Sequence, residues 1–238
     1  MSVTTASSKK VSVVIPAMNE EATIGEVVQD IHRSLRGGAY AYEVIVVDDH
    51  STDLTTTVAR RAGAVVVTNT QGRGKGQTLR VGFDAAKGDY VVMMDADGSH
   101  RAADIPKLVE PLDDGAGLVI GSRIYGGSDE YTRIRALGNI FLTAAFGLAH
   151  KRYLSDALNG FKAFKRDIVE RQPLTATSFD IEIELLAAAL RCGHRIVEVP
   201  SHERMRQGGQ AKSRVIQHGT TFLMRIIYEW WRTKTRRA

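Results

Sequence analysis

Cysteine is nearly absent from this 238-residue chain, with Cys192 standing alone. One thiol cannot build a disulfide framework, and with no C-x-x-C pair there is no thiolate zinc or redox site. No apolar run approaches the roughly 18 residues that a membrane span requires. There is no G-x-S-x-G and no H-E-x-x-H, and the seven histidines fall at no metal-ligand spacing. No G-x-G-x-x-G follows the first apolar run, which argues against a dinucleotide-dependent dehydrogenase. Residues 1–10 (MSVTTASSKK) lack the apolar core of a leader and read as a short disordered arm. The lone thiol and absent leader suit a cytoplasmic location.

What is present is ordinary for a globular chain. It is 43% apolar and 25% charged, which excludes a disordered polymer. The excess positive charge is local. Arg225, Arg232, Lys234, Arg236 and Arg237 crowd the last fourteen positions against one acid, Glu229. With no nucleic-acid motif beside it, this is a basic tail on a balanced domain, and nucleic acid is not an expected partner.

Strand and helix signals alternate through the first half. Val11–Ile15 reads as a strand closed by Pro16, and Ile24, Val27, Val28, Ile31 and Leu35 form a helical stripe. Strands follow at Glu43–Val47, Ala64–Thr68, Tyr90–Met94 and Leu118–Ile120, with helices after Asp53, after Lys75 and over 104–112. The βαβαβαβαβ order predicts an α/β fold with a mostly parallel sheet covered on both faces. The second half predicts a polar loop at 124–134, a helix at 135–149, a strand at 160–164, a helix at 179–192, a strand at 196–199 and a basic loop at 201–214. Glu182 and Glu184 could line the acceptor side but read first as exposed helix acids, and His100 as a structural or supporting group.

Chemistry concentrates where strands end. Val91-Val92-Met93-Met94 stops at Asp95-Ala96-Asp97. Two carboxylates one residue apart suit Mg²⁺ or Mn²⁺, hard cations that prefer oxygen and usually share their shell with substrate phosphates. Ligands of open α/β sheets bind outside the carboxyl ends of strands. Pro16 to Glu20 and Asp48-Asp49 should reach the same edge and meet a nucleoside. Gly72-x-Gly74-Lys75-Gly76 opens a helix, where backbone amides and the helix dipole favour an anion; it is not a P-loop. Alone, each motif also suits a helix cap or a solvated turn; their convergence carries the reading. Arg123, Arg133, Arg135, Arg206, Lys212 and Arg214 supply cations from the second half, and arginine forks grip oxyanions bidentately.

In order and spacing, VSVVIPAMNEE, VIVVDDHSTD, GRGKG, VVMMDADGSH and GSR resemble the family-2 inverting glycosyltransferases of GT-A fold. DALNGFKAF, FDIEIELL, RIVEVP and ERMRQGGQAKS narrow the resemblance to dolichol- and polyprenyl-phosphate mannose synthases. It implies a three-layer GT-A catalytic domain over 11–214, with a nucleotide-sugar half at 11–123 and an acceptor half at 124–214. A basic amphipathic helix follows at 215–238. It implies nucleotide contacts from Pro16, Met18, Glu20, Val47, Asp48, Asp49, Lys75, Asp95 and Ala96, and a metal on Asp95 and Asp97. Catalytic roles fall to Asp97, Arg123, Arg135, Arg206 and Lys212, with Arg206 and Lys212 clamping phosphate from a loop. Met18, Ser99 and Ala211 stand where the synthases commonly carry an aromatic, glutamine and serine.

The expected reaction is metal-dependent transfer of mannose or glucose from a GDP- or UDP-sugar to a polyprenyl phosphate. A phosphate nucleophile is largely ionised at neutral pH and needs no strong base. A hydroxyl acceptor would need one, with Asp156, Asp180 or Glu182 as candidates. A nucleotide-binding module without catalysis is the third reading. Phe222, Leu223, Ile226, Ile227, Trp230 and Trp231 beside basic residues suit a helix lying on the cytoplasmic face of a membrane. The same helix could instead pack on the core, a membrane partner or a second copy.

Overall fold

The computed structural model describes residues 9–130, 132–208 and 215–235, the last from its backbone alone over 215–218. Ala211, Lys212, Arg214, Arg236, Arg237 and residues 1–8 of the arm expected at 1–10 lie outside the described residues, whereas Lys10 already belongs to the first strand.

The first half follows the expected alternation. Strand β1 (Lys10–Ala17) leads to α1 (Ile24–Leu35), β2 (Ala41–Asp48), α2 (Thr55–Arg61), β3 (Val65–Thr68), α3 (Lys75–Ala85), β4 (Tyr90–Met93), α4 (Ile105–Asp113) and β5 (Ala116–Ser122). All five apolar residues of the α1 stripe are buried. The second half adds a short α5 (Arg123–Gly126) where a loop is expected. It continues with α6 (Arg133–His150), β6 (Lys162–Lys165), α7 (Asp167–Arg171), α8 (Ile181–Arg191), β7 (Arg195–Pro200) and α9 (Val215–Thr235).

Among the described residues, seven strands form one sheet in the order β3-β2-β1-β4-β6-β5-β7. All neighbours are parallel except β6, which runs antiparallel between β4 and β5. The alternation of side chains along a strand splits the core into two layers. Val11, Val13 and Ile15 face α1 and α4. Val14, Ile45, Val47, Val91 and Met93 face the layer holding α3, α6, α8 and α9. Burial on both faces explains why these strands read as continuous apolar runs.

The register aligns Ala17 with Asp48 and Asp48 with Thr68. The ends of β1, β2 and β4 therefore open on one edge. Just beyond it, Asn19 and His50 adopt left-handed φ of 56° and 59°. Asn19 accepts from the Thr52 amide at 2.8 Å and donates its own amide to Ser51 Oγ at 3.0 Å, lacing the two post-strand loops together.

Helix α9 packs on α6 and α8. Phe222 and Ile226 join the core. Arg225 grips Asp180 through Nε and Nη2 at 2.8 Å, and Arg232 meets Glu229 at 3.2 Å. The expected single apolar face is thus divided. Phe222 and Ile226 turn inward, while Met224, Ile227 and Trp231 turn out. Two of the tail's cations are consumed by internal acids. The outer side of α6 adds Ile134, Leu137, Phe141 and Leu148, each more than 60% exposed. Among the described residues, no helix is long and apolar enough to cross a membrane.

Candidate active site

A cavity of about 530 Å³ sits at the shared strand edge. Pro16, Met18, Glu20, Asp49, Lys75, Asp95, Ala96, Asp97, Arg123, Arg135 and Arg206 all line it. Val47 and Asp48 do not. Val47 points into the core, where its Cγ2 lies 2.8 Å from where a Cβ on Gly82 would stand. Asp48 is buried, with Oδ1 accepting from the Ser51 amide at 3.2 Å.

Asp95 follows β4. Its amide donates to His100 Nδ1 at 3.1 Å, which leaves the proton of a neutral imidazole on Nε2. His100 stacks on Phe161 with centroids 4.9 Å apart. Lys75 Nζ, from the first turn of α3, lies 2.7 Å from Asp95 Oδ1 and 3.0 Å from Glu182 Oε1. Burial alone would raise the Asp95 pKa, but the Lys75 charge beside it holds it well below the ordinary carboxylate range. Burial likewise opposes the Lys75 charge, yet Asp95 and Glu182 hold the ammonium firmly protonated.

Glu182 departs from its sequence reading. It is buried on the inner face of α8, and Oε2 reaches the fully buried Lys162 at 2.7 Å. The result is a chain of alternating charge, Asp95–Lys75–Glu182–Lys162. Gly160 leaves room for it: a Cβ there would stand 2.9 Å from Lys75 Nζ and 3.1 Å from Asp95 Oδ2. Glu184 is also buried, accepting from the Thr175 and Ala176 amides.

The glycine loop differs from expectation as well. The Gly74 amide donates to Asp49 Oδ2 at 3.0 Å, and the Gly76 amide donates to Thr177 O at 3.2 Å. A Cβ on Gly74 or Gly76 would come within 2.5 Å of the 176–177 backbone. These glycines let two backbones meet. Their amides are engaged within the protein rather than presented to an anion.

Asp97 Oδ1 accepts from the Ser99 amide at 3.1 Å and hydroxyl at 2.7 Å, and Oδ2 lies 3.5 Å from Arg206 Nη1. The loop after β7 is tied over this turn. The Gln207 amide donates to Asp97 O and the Arg204 amide to Ser99 O, both at 2.9 Å. Across the cavity, Arg123 donates Nε and Nη2 to the two oxygens of Asp156 at 2.8 Å, and Nη1 to Glu203 at 3.2 Å. Asp156 is fully buried and also accepts from Asn139 Nδ2 at 2.7 Å. Burial pushes its pKa up, but the Arg123 bonds and charge outweigh this and lower it.

Glu130, Glu203, Arg73, Asn139, Gly160 and Glu182 line the cavity without having been singled out as nucleotide or metal residues. Glu182 had a signal in the sequence, being one of two acids, with Glu184, in the first turn of a largely apolar helix. Glu130 and Glu203 had none, because they lie in polar loops. The apolar end of the cavity is Leu142, Leu158 and Phe222, where α6 meets α9.

Among the described residues, no cluster of three or more His, Cys, Asp or Glu side chains offers a complete set of metal ligands. Two carboxylates at a strand end still fit Mg²⁺ or Mn²⁺, which take one or two protein carboxylates and complete their shell with water and substrate phosphate.

Residues 12–172 match the family model described as glycosyl transferase family 2. Glycosyltransferase AglJ of Haloferax volcanii is 35% identical over 80% of this chain and 62% of its own length. The dolichol-phosphate mannosyltransferase of Pyrococcus furiosus is 34% identical over 85% of this chain and 59% of its own. The chain thus spans roughly three fifths of these two relatives. Among solved structures, glucosyl-3-phosphoglycerate synthase from Mycobacterium tuberculosis, in complex with Mn²⁺, UDP-glucose and phosphoglyceric acid, superposes with a TM-score of 0.74. The two are 28% identical, covering 93% of this chain and 80% of that one. The same synthase has been solved with Mg²⁺ and UDP.

Proposed function

The chain belongs to glycosyl transferase family 2 and has the GT-A fold. From that premise we propose that it moves a sugar, mannose or glucose, from a nucleotide diphosphate sugar to a polyprenyl or dolichyl phosphate. One observation carries the choice of acceptor: every candidate base is already held by a cation. Asp156 is locked to Arg123, Asp180 to Arg225, and Glu182 to Lys75 and Lys162. A hydroxyl acceptor would find none of these three free to act as its base. A phosphate acceptor is largely dianionic near neutral pH and attacks unaided.

In this reading Pro16, Met18, Glu20 and Asp49 hold base and ribose, with Val47, Asp48 and Ala96 shaping the backbone around them. Asp95 and Asp97 would hold Mg²⁺ or Mn²⁺, which would supply positive charge against the leaving diphosphate. Lys75 adds a cation on the same side. Arg135 and Arg206 face the acceptor phosphate, and the family resemblance assigns the same task to Lys212. Arg123 acts through its charge, because its fork is spent on Asp156. A lipid oxygen attacks the anomeric carbon as the diphosphate departs opposite, giving inversion.

The apolar wall of Leu142, Leu158 and Phe222 would receive the start of the lipid chain. The exposed side chains of α6 and α9 supply a face for peripheral contact with a bilayer. The Pyrococcus furiosus relative is named for a dolichol phosphate. The phosphoglyceric acid complex favours a second reading, a soluble acceptor.

Purified protein with Mg²⁺ or Mn²⁺ and GDP-mannose, UDP-glucose or UDP-N-acetylglucosamine should release nucleotide only when a polyprenyl phosphate is added. Release with phosphoglycerate alone would favour the soluble acceptor instead.

A further inference from the structure

Glu130 is not among the residues assigned to donor, metal or acceptor, yet it holds two of the proposed phosphate cations. Its carboxylate accepts from the Arg206 amide at 2.9 Å, from Arg206 Nε at 2.9 and 3.2 Å, and from Nη2 at 3.1 Å. Arg135 Nη1 lies 3.6 Å from the same carboxylate. A side-on guanidinium fork, a backbone amide and a second guanidinium converging on one oxyanion is the grip that proteins use for phosphate. Here a protein carboxylate fills it.

The segment that carries Glu130 is tied to the loop that carries Arg206. The Asp129 amide donates to Glu203 O at 2.9 Å, the Glu203 amide to Gly127 O at 3.1 Å, and Ser128 Oγ to Glu203 Oε2 at 2.5 Å. Glu130 therefore approaches Arg206 from a fixed strap, and both side chains line the cavity.

We propose that Glu130 is an internal stand-in for a monophosphate: it occupies the Arg206–Arg135 fork until the phosphate of the acceptor displaces it. The inference rests on the proposed phosphate acceptor for its biological ligand. Its physical content, competition between Glu130 and a phosphate monoester for one fork, is tested separately. The stand-in keeps two half-buried guanidiniums paired in the empty site, orders Arg206 before substrate arrives, and sets a threshold that a weaker anion does not pass. The gain on removing it is modest because a part-exposed pair is worth little net energy.

The test is calorimetric titration of wild type, Glu130→Gln and Glu130→Gln/Arg206→Gln with inorganic phosphate, farnesyl phosphate and a nucleoside diphosphate. Glu130→Gln keeps the shape and removes the competing charge. It should bind both monophosphates about fivefold more tightly, equivalent to about 1 kcal/mol, with nucleoside diphosphate affinity changed less than twofold. The double variant should lose that gain. Equal or weaker monophosphate binding in a Glu130→Gln protein that melts normally would overturn the proposal, and so would a gain confined to the nucleoside diphosphate. Turnover separates the two ideas. Lipid-phosphate-dependent transfer without tighter binding in Glu130→Gln sinks the stand-in and leaves the function. Tighter monophosphate binding without lipid-dependent transfer sinks the lipid acceptor and leaves the stand-in.

Discussion

Glu182→Gln isolates the buried charge chain. In the native protein Glu182 lies 3.0 Å from Lys75 Nζ and 2.7 Å from Lys162 Nζ, and Lys162 has no solvent exposure. Burial pushes the Lys162 pKa down, and Glu182 offsets this. Neutralising Glu182 leaves Lys75 its bond to Asp95 but takes from Lys162 the carboxylate it is bonded to, leaving only the more distant charge of Asp156. Breaking a buried pair on one side costs about 3–5 kcal/mol, a large part of the 5–15 kcal/mol typical of a domain. At about 2–4 °C per kcal/mol for a chain of this size, the melting temperature should fall by roughly 6–20 °C.

Two controls identify the cause. Adding Lys162→Met removes the stranded ammonium and should restore at least half of the loss. The sign with pH is also fixed. In the variant, folded Lys162 holds its proton less tightly than the unfolded chain does. The unfolded state then binds more protons, so stability rises with pH. The gap to wild type should narrow between pH 7 and 9 in thermal denaturation followed by circular dichroism. A Glu182→Gln protein within about 1 kcal/mol of wild type, or a double variant less stable than the single, would refute the reasoning.

Gly160→Ala places a methyl 2.9 Å from Lys75 Nζ at a glycine without positive φ, so strain falls on the ion pair rather than the backbone. We expect a KM for donor raised about tenfold with a melting loss of only a few degrees, since overpacking costs about 1–3 kcal/mol; an unchanged KM would separate Lys75 from the donor. Asp97→Asn should abolish divalent-ion-stimulated transfer while leaving the melt near wild type, and retained activity would remove Asp97 from the metal site. Burial, then the Arg191 charge, lowers the His150 pKa from 6.5 to about 4. The unfolded chain therefore takes up a proton first, and stability should fall by up to about 3 kcal/mol between pH 6.5 and 4. His150→Phe should flatten that part of the pH–melting curve, and an unchanged slope would contradict the assignment. Leu137→Asp/Phe141→Asp should reduce flotation with anionic liposomes while preserving transfer to detergent-dispersed acceptor; undiminished flotation would exclude α6 from the membrane face.

The strand ends were legible because a buried parallel strand is a run of apolar residues, and Asp48 and Asp95 break such runs where the sheet meets solvent. The α1 stripe was legible for the same reason at helical period. The burial of Glu182 and Glu184 was not legible, because helical spacing says which residues share a face, not whether that face meets water or buried lysines. Gly74 and Gly76 were misread because a close backbone approach and an anion cradle need the same missing Cβ, and the partner, Ala176-Thr177, lies about a hundred residues away. Arg123 with Glu203 and Glu130 with Arg206 pair across 80 and 76 positions. No local pattern announces contacts of that separation. The two sides of α9 were merged because Phe222 and Trp231 are both apolar, and only packing on α6 and α8 tells them apart.

The most direct measurement is the structure of the product formed from a nucleotide sugar and a short polyprenyl phosphate bearing ¹⁸O in its phosphate. Mass spectrometry should find one lipid-linked hexose with all of the label retained, the bridging oxygen included. Nuclear magnetic resonance should show an anomeric centre inverted relative to the donor. A glycosylated hydroxyl with the lipid phosphate untouched, or a retained anomeric configuration, would contradict the account.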